Sequence, residues 1–158
     1  MAGNARRQPP GVGPLPSDSV EAAQQALGAE HAAVWVYGLV SAFLPNSLNK
    51  AVTEGITAHR ARRDATERLL ASAGVAPRPA EAAYLPPAPV SNQASAINLL
   101  VTAETDTCVA WRAVLDRTDD AALRRAGLEA LTSAAVRAVR WRKAAGTSPS
   151  VTPMPGQP

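Results

Sequence analysis

Apolar residues recur at three- and four-residue intervals over four stretches of this chain, and each stretch is fenced by residues that start or stop helices. That spacing marks amphipathic α-helices, because a turn of about 3.6 residues brings such positions onto one face. The first predicted helix spans 18–44, opened by Asp18 as a cap with Glu21 completing a capping box, and closed by Pro45. The second spans 47–73, capped by Asn46 or Ser47 and ended by Gly74 as the left-handed residue beyond its last turn. The third follows a cap at Ser91 or Asn92 and reaches about Arg117. The fourth follows Thr118 or Asp119 and reaches about Ala145, just before Gly146.

The connections differ in length. The segment 74–90 holds five prolines and no periodicity, and it is far longer than a link between adjacent helices needs to be. The other two connections are tight. Hairpin, long crossover between the second and third helices, hairpin is the connectivity of ferritin-like bundles, so the expected fold is an all-α, antiparallel four-helix bundle. At 158 residues the chain suits one domain, expected over 17–146. Residues 1–16 are rich in Pro and Gly and residues 147–158 in Pro, Ser and Thr, so both are expected as disordered tails.

The polar residues on the inward faces carry the candidate chemistry. On the first helix the apolar stripe runs through Val20, Ala23, Leu27, Val34, Tyr37 and Leu44, and Glu30 falls in its middle. On the third it runs through Ile97, Leu100, Val101, Cys108, Trp111 and Leu115, with Glu104 at the centre. The second helix turns Leu48, Val52, Ile56, Thr66 and Leu70 inward, with His59 central and Arg62 and Arg63 flanking it. The fourth offers Leu123, Gly127, Leu131, Ala134, Ala138 and Trp141, with Arg137 only at the margin. Glu30, His59 and Glu104 each lie near the middle of their own helix, which places them in one layer of an antiparallel bundle. A buried carboxylate costs several kcal/mol unless it is paired, so this layer requires cations or protons.

The segments EHAAVWVYG (30–38), AHRARRDATERLLASAG (58–74), AAYLPPAPV (82–90), AETDTCVAWRAVL (103–115) and AAVRAVRWRKAAG (134–146) resemble an actinobacterial ferritin-like domain family of unknown function, over roughly residues 20–146. The resemblance implies fold and lineage and brings no established activity. The wider superfamily builds a di-iron site from two lone glutamates and two Glu-x-x-His pairs. Here Glu30 and Glu104 match the lone glutamates, but Ile56 stands where His59 would need its paired glutamate, and the fourth helix offers Ala134 and Arg137.

Two readings of the layer follow. In the first, guanidinium groups replace metal: Arg62 and Arg63, with Arg137 at the edge, pair with Glu30 and Glu104 in a buried ionic cluster that includes His59, with no cofactor. In the second, Glu30, His59 and Glu104 hold one divalent ion, Fe or Mn. A separate feature is the second apolar face of the first helix, Trp35, Val36, Leu39 and Phe43, which must be covered either by Tyr84 and Leu85 of the crossover or by another chain. That face leaves room for a homodimer or another protein partner.

Charge and composition narrow the rest. The net charge is +3, and basic residues alternate with acidic ones four positions away rather than forming a stripe with interleaved aromatics, which argues against nucleic acid. The serines lack evident His and acid partners, only two histidines exist, and no glycine-rich phosphate loop occurs, so the sequence leans away from an enzyme. His31 is read as a boundary residue. The most apolar stretch, Ala32 to Leu44, is shorter than the roughly 20 residues that cross a bilayer. A single cysteine, Cys108, and no apolar segment after Arg6 and Arg7 lead to the expectation of a cytoplasmic protein.

Overall fold

The computed structural model describes residues 14–157. The tail predicted over 1–16 lies mostly outside the described residues. Among the described residues there are four long helices and no strand: α1 Ser17–Val40, α2 Asn49–Ser72, α3 Gln93–Arg117 and α4 Ala121–Ala144. No helix among them is long and apolar enough to cross a membrane.

Helix interiors follow the periodicity, and helix ends depart from it in places. Helix α1 starts at Ser17 with Pro16 as the preceding cap residue, and Asp18 makes no side-chain cap. Proline needs no N–H partner and its fixed φ suits a helix entry. Glu21 is drawn outward instead, to Arg78 of the α2–α3 connection at 2.8 Å. At its other end α1 stops at Val40 rather than Leu44. The Ser41 hydroxyl donates to the Gly38 carbonyl at 2.7 Å, and residues Ser41–Phe43 tighten into a 3-10 turn before Pro45. A second 3-10 turn, Asn46–Leu48, leads into α2, so neither Asn46 nor Ser47 caps it.

Helix α3 is capped by Asn92, whose side chain accepts from the Ser95 backbone N–H at 2.9 Å while Ser95 reciprocates. Helix α4 is capped by Asp120, one residue beyond the predicted pair, and Thr118 accepts from the Asp120 N–H at 3.2 Å. Gly74 and Gly146 both take positive φ, 77° and 71°, as a left-handed terminator requires.

Helix α1 packs on α2 and α3, and α3 packs on α4, whereas α2 and α4 barely meet. The buried apolar side chains form two clusters. One gathers Tyr37 and Val40 from the end of α1, Val52 from the start of α2, Ile97 and Leu100 from the start of α3, and Trp141 from the end of α4. The other gathers Ala23 and Leu27, Leu70, Trp111 and Leu123 from the opposite ends. Glu30, His59 and Glu104 lie between them, each within 1% of complete burial.

The non-helical segments are pinned to this frame. Buried Gln24 donates to the Ala76 carbonyl and accepts from the Arg78 N–H, both at 2.8 Å, which lays the start of the α2–α3 connection along α1. His31, expected at a boundary, is buried with Nε2 3.2 Å from the Arg78 carbonyl oxygen. The Trp35 ring meets Tyr84 at 5.7 Å, and Trp35, Leu39 and Phe43 pack half-buried against the first cluster. Tyr84, on the connection between α2 and α3, therefore covers part of the second apolar face of α1, while Leu85 stands 95% exposed. Residues 147–157, expected as a disordered tail, run back against α3. A Cβ on Gly156 would sit 2.5 Å from the Cys108 carbonyl oxygen and 2.8 Å from the Arg112 Cβ.

Candidate functional site

The centre of the layer is His59. Its Nδ1 lies 2.7 Å from Glu30 Oε2 and its Nε2 lies 3.1 Å from Glu104 Oε1. An ionised carboxylate can only accept hydrogen bonds, so both contacts are satisfied together only when both ring nitrogens carry protons. The geometry therefore calls for an imidazolium between two carboxylates.

The neighbours complete the arrangement. Glu104 Oε1 also accepts from the Tyr37 hydroxyl at 2.5 Å and from Arg137 Nε at 2.9 Å. The Tyr37 oxygen in turn accepts from Trp141 Nε1 at 2.8 Å. Glu30 Oε1 accepts from Trp111 Nε1 at 2.7 Å. Arg137 is oriented by a 2.6 Å bond from its guanidinium to the Ser133 hydroxyl. Two carboxylates, one imidazolium and one guanidinium sum to zero, which is the condition for holding charge in a core.

Local sequence explains how these groups meet. Tyr37 follows Glu30, and Trp111 follows Glu104, by two helical turns on the same face. Tyr37 reaches across to Glu104 and Trp111 across to Glu30, so α1 and α3 exchange donors. Space for the Tyr37 ring comes from Gly55 on α2, where any Cβ would overlap the ring. The Tyr37 and His59 rings then lie 5.3 Å apart.

The protonation states follow from competing terms. Burial pushes the His59 pKa down, but its hydrogen bonds to Glu104 and Glu30 and their negative charge outweigh it, and the net direction is up. Burial pushes Glu104 up, but His59, Arg137 and the Tyr37 hydroxyl outweigh it, and the net direction is down. Burial, reinforced by the Glu104 charge, holds the Tyr37 hydroxyl far above its ordinary range, so it remains a donor. One buried side-chain polar atom has no hydrogen-bond partner among the described residues: Glu104 Oε2.

The structure brings Glu30, His59 and Glu104 together, and it does not bring in Arg62 and Arg63. The Arg62 guanidinium turns toward α4, 3.4 Å from the Ala126 carbonyl and 3.8 Å from Glu129. Arg63 folds onto Asp64 at 2.7 Å. Both lie a turn beyond His59 at the edges of the buried face, where water is within reach, while Thr66 fills the inward position. The cation that joins is Arg137, read from the sequence as marginal. Tyr37, Trp111 and Trp141 were legible only as apolar core, although a buried Tyr or Trp ordinarily seeks a partner for its polar tip.

The donors also do not converge on one point. His59 stands between the carboxylates and presents a different nitrogen to each, so an ion bound to one nitrogen cannot also reach the glutamate behind the other. Among the described residues no cluster of three or more His, Cys, Asp or Glu side chains is arranged to hold a metal.

Two outcomes follow. Arg137→Ala leaves the Glu104 charge short of a cation and is expected to destabilise the fold by about 3 kcal/mol, whereas Arg62→Ala, at a half-exposed site, changes stability by less than about 0.5 kcal/mol; urea denaturation measures both. The pH dependence has two limbs. The His59 contribution, from a raised pKa, is complete below its unfolded value of about 6.5 and is lost as pH rises through the folded value. The Glu104 contribution, from a lowered pKa, is complete above its unfolded value of about 4.3 and is lost as pH falls through the folded value. Stability is expected to be greatest between those two unfolded values, and His59→Gln should remove the alkaline limb of the denaturation midpoints.

No curated protein matches the chain. Among solved structures it is similar to the crystal structure of a conserved hypothetical protein, rv2844, from Mycobacterium tuberculosis, at 39% identity and a TM-score of 0.79, over 81% of this chain and 97% of that one. Residues 22–158, which include the segment folded back on α3, match the profile described as Domain of unknown function (DUF4439), and the chain belongs to that family.

Proposed function

We propose that this protein is a ferritin-like, antiparallel four-helix bundle of actinobacterial lineage in which a metal-free ionic network has replaced a di-iron centre, and that it serves a structural or interaction role in the cytoplasm. The observation that carries the reading is His59 lodged between Glu30 and Glu104 with a ring nitrogen on each. A histidine that ligates metal must offer a bare nitrogen lone pair, and here both nitrogens face acceptors.

Several features support the bundle part of the reading. The end of α1 shares a cluster with the starts of α2 and α3 and the end of α4, as neighbours of opposite direction would. Ser19, at the start of α1, donates to the Arg117 carbonyl at the end of α3, 2.7 Å away. The segment 73–92 between α2 and α3 is the long connection. The similar solved structure comes from Mycobacterium tuberculosis, which is consistent with the lineage.

The competing reading, one Fe or Mn ion at Glu30, His59 and Glu104, draws on a single observation, the buried and unpartnered Glu104 Oε2, which is where a cation would attach. It requires His59 to lose a proton and turn away from one glutamate, with Arg137 repelling the incoming charge. The full-length protein purified without chelator distinguishes the two. Elemental analysis is expected to find iron, manganese and zinc well below one equivalent per chain, with a thermal midpoint unchanged by EDTA. One equivalent of metal, together with a midpoint that falls on chelation, would establish the metal reading.

A further inference from the structure

An apolar cavity lies away from the ionic layer, between α3, α4 and the returning C-terminal segment. Its volume is about 370 Å³, within the range of small-molecule sites, and its walls include Leu131, Ala135, Val139 and Val151. The outer wall is the 147–157 segment, held where Gly156 approaches the Cys108 carbonyl too closely for any side chain. That contact seats the segment on α3 and bounds one side of the cavity.

One charge stands on the lining. The Arg142 guanidinium, half-buried, donates to the Thr105 hydroxyl at 3.1 Å and makes no ion pair among the described residues. Its remaining N–H groups form a planar fork suited to a carboxylate. The other polar lining atoms are neutral: burial pushes the Cys108 thiol up to about 11, so it stays protonated.

From the cavity, its wall and its single cation we infer that this site binds a small amphipathic monocarboxylate, with the carboxylate on Arg142 and the hydrocarbon body against Leu131, Ala135 and Val139. A monoanion matches one guanidinium, and the apolar body gains from leaving water in proportion to the surface it buries. The returning segment then acts as a wall of the site.

Sodium octanoate and octanol, titrated into the full chain and followed by amide NMR and calorimetry, test this. Octanoate is expected to bind saturably, with shifts centred on Thr105, Cys108, Leu131 and Gly156, and octanol about tenfold more weakly, the usual scale of one charge-assisted contact. Arg142→Gln, at a half-exposed position outside the ionic layer, should weaken octanoate about tenfold and leave octanol unchanged. Ala135→Trp should fill the cavity and abolish both. No saturable octanoate binding, equal affinity for acid and alcohol, or shifts on another face would overturn the assignment.

Discussion

His59 held between two carboxylates, with a ring nitrogen on each, is the interaction around which this fold is organised. Isolated in a core, either carboxylate would be driven to take up a proton, and the histidine would be driven to give one up. Placed 2.7 and 3.1 Å from one ring, with Arg137 on Glu104, each charge supplies what the others need. The arrangement ties α1, α2, α3 and α4 to a single layer, because each contributes one charged group to it.

The rest of the interior adapts to that layer. The apolar core divides into a cluster on each side of it. The aromatics nearest the layer turn their polar tips inward: Trp111 to Glu30, Tyr37 to Glu104 and Trp141 to the Tyr37 oxygen. Their rings meanwhile belong to the two clusters, so the same side chains serve packing and charge solvation. Gly55 on α2 is required for space, since any larger residue would strike the Tyr37 ring and displace the hydroxyl from Glu104. Replacing an ionic core of this kind by apolar residues of similar volume is often neutral for stability. The plainer consequence of the ionic core is specificity, because a slip of one helix by a turn would strand a charge.

Glu30, His59 and Glu104 were legible in the sequence because a charged residue in the middle of a 3.6-residue apolar stripe has nowhere else to point. Arg137 was not, since an arginine at the edge of a stripe can snorkel to water as readily as fold inward, and only the position of Glu104 decides. Arg62 and Arg63 drew attention through adjacency to His59, but one further turn along α2 was enough to send them elsewhere. Helix ends show the same division. Gly74 and Gly146 are forced by backbone sterics and Asn92 by its reciprocal bonds with Ser95, whereas Asp18 had a competing role for its neighbour Glu21 at Arg78. The C-terminal segment was the least legible: its composition forbids a helix, yet an irregular chain can still be fixed by a contact such as that of Gly156 with α3.

The protonation of His59 is read directly by nitrogen NMR of the full-length protein. At neutral pH the ring of His59 should show protons on both Nδ1 and Nε2, each with the downfield shift of a bond to a carboxylate, and the signals should be indifferent to chelator. A His59 ring with one bare nitrogen at neutral pH would contradict the account.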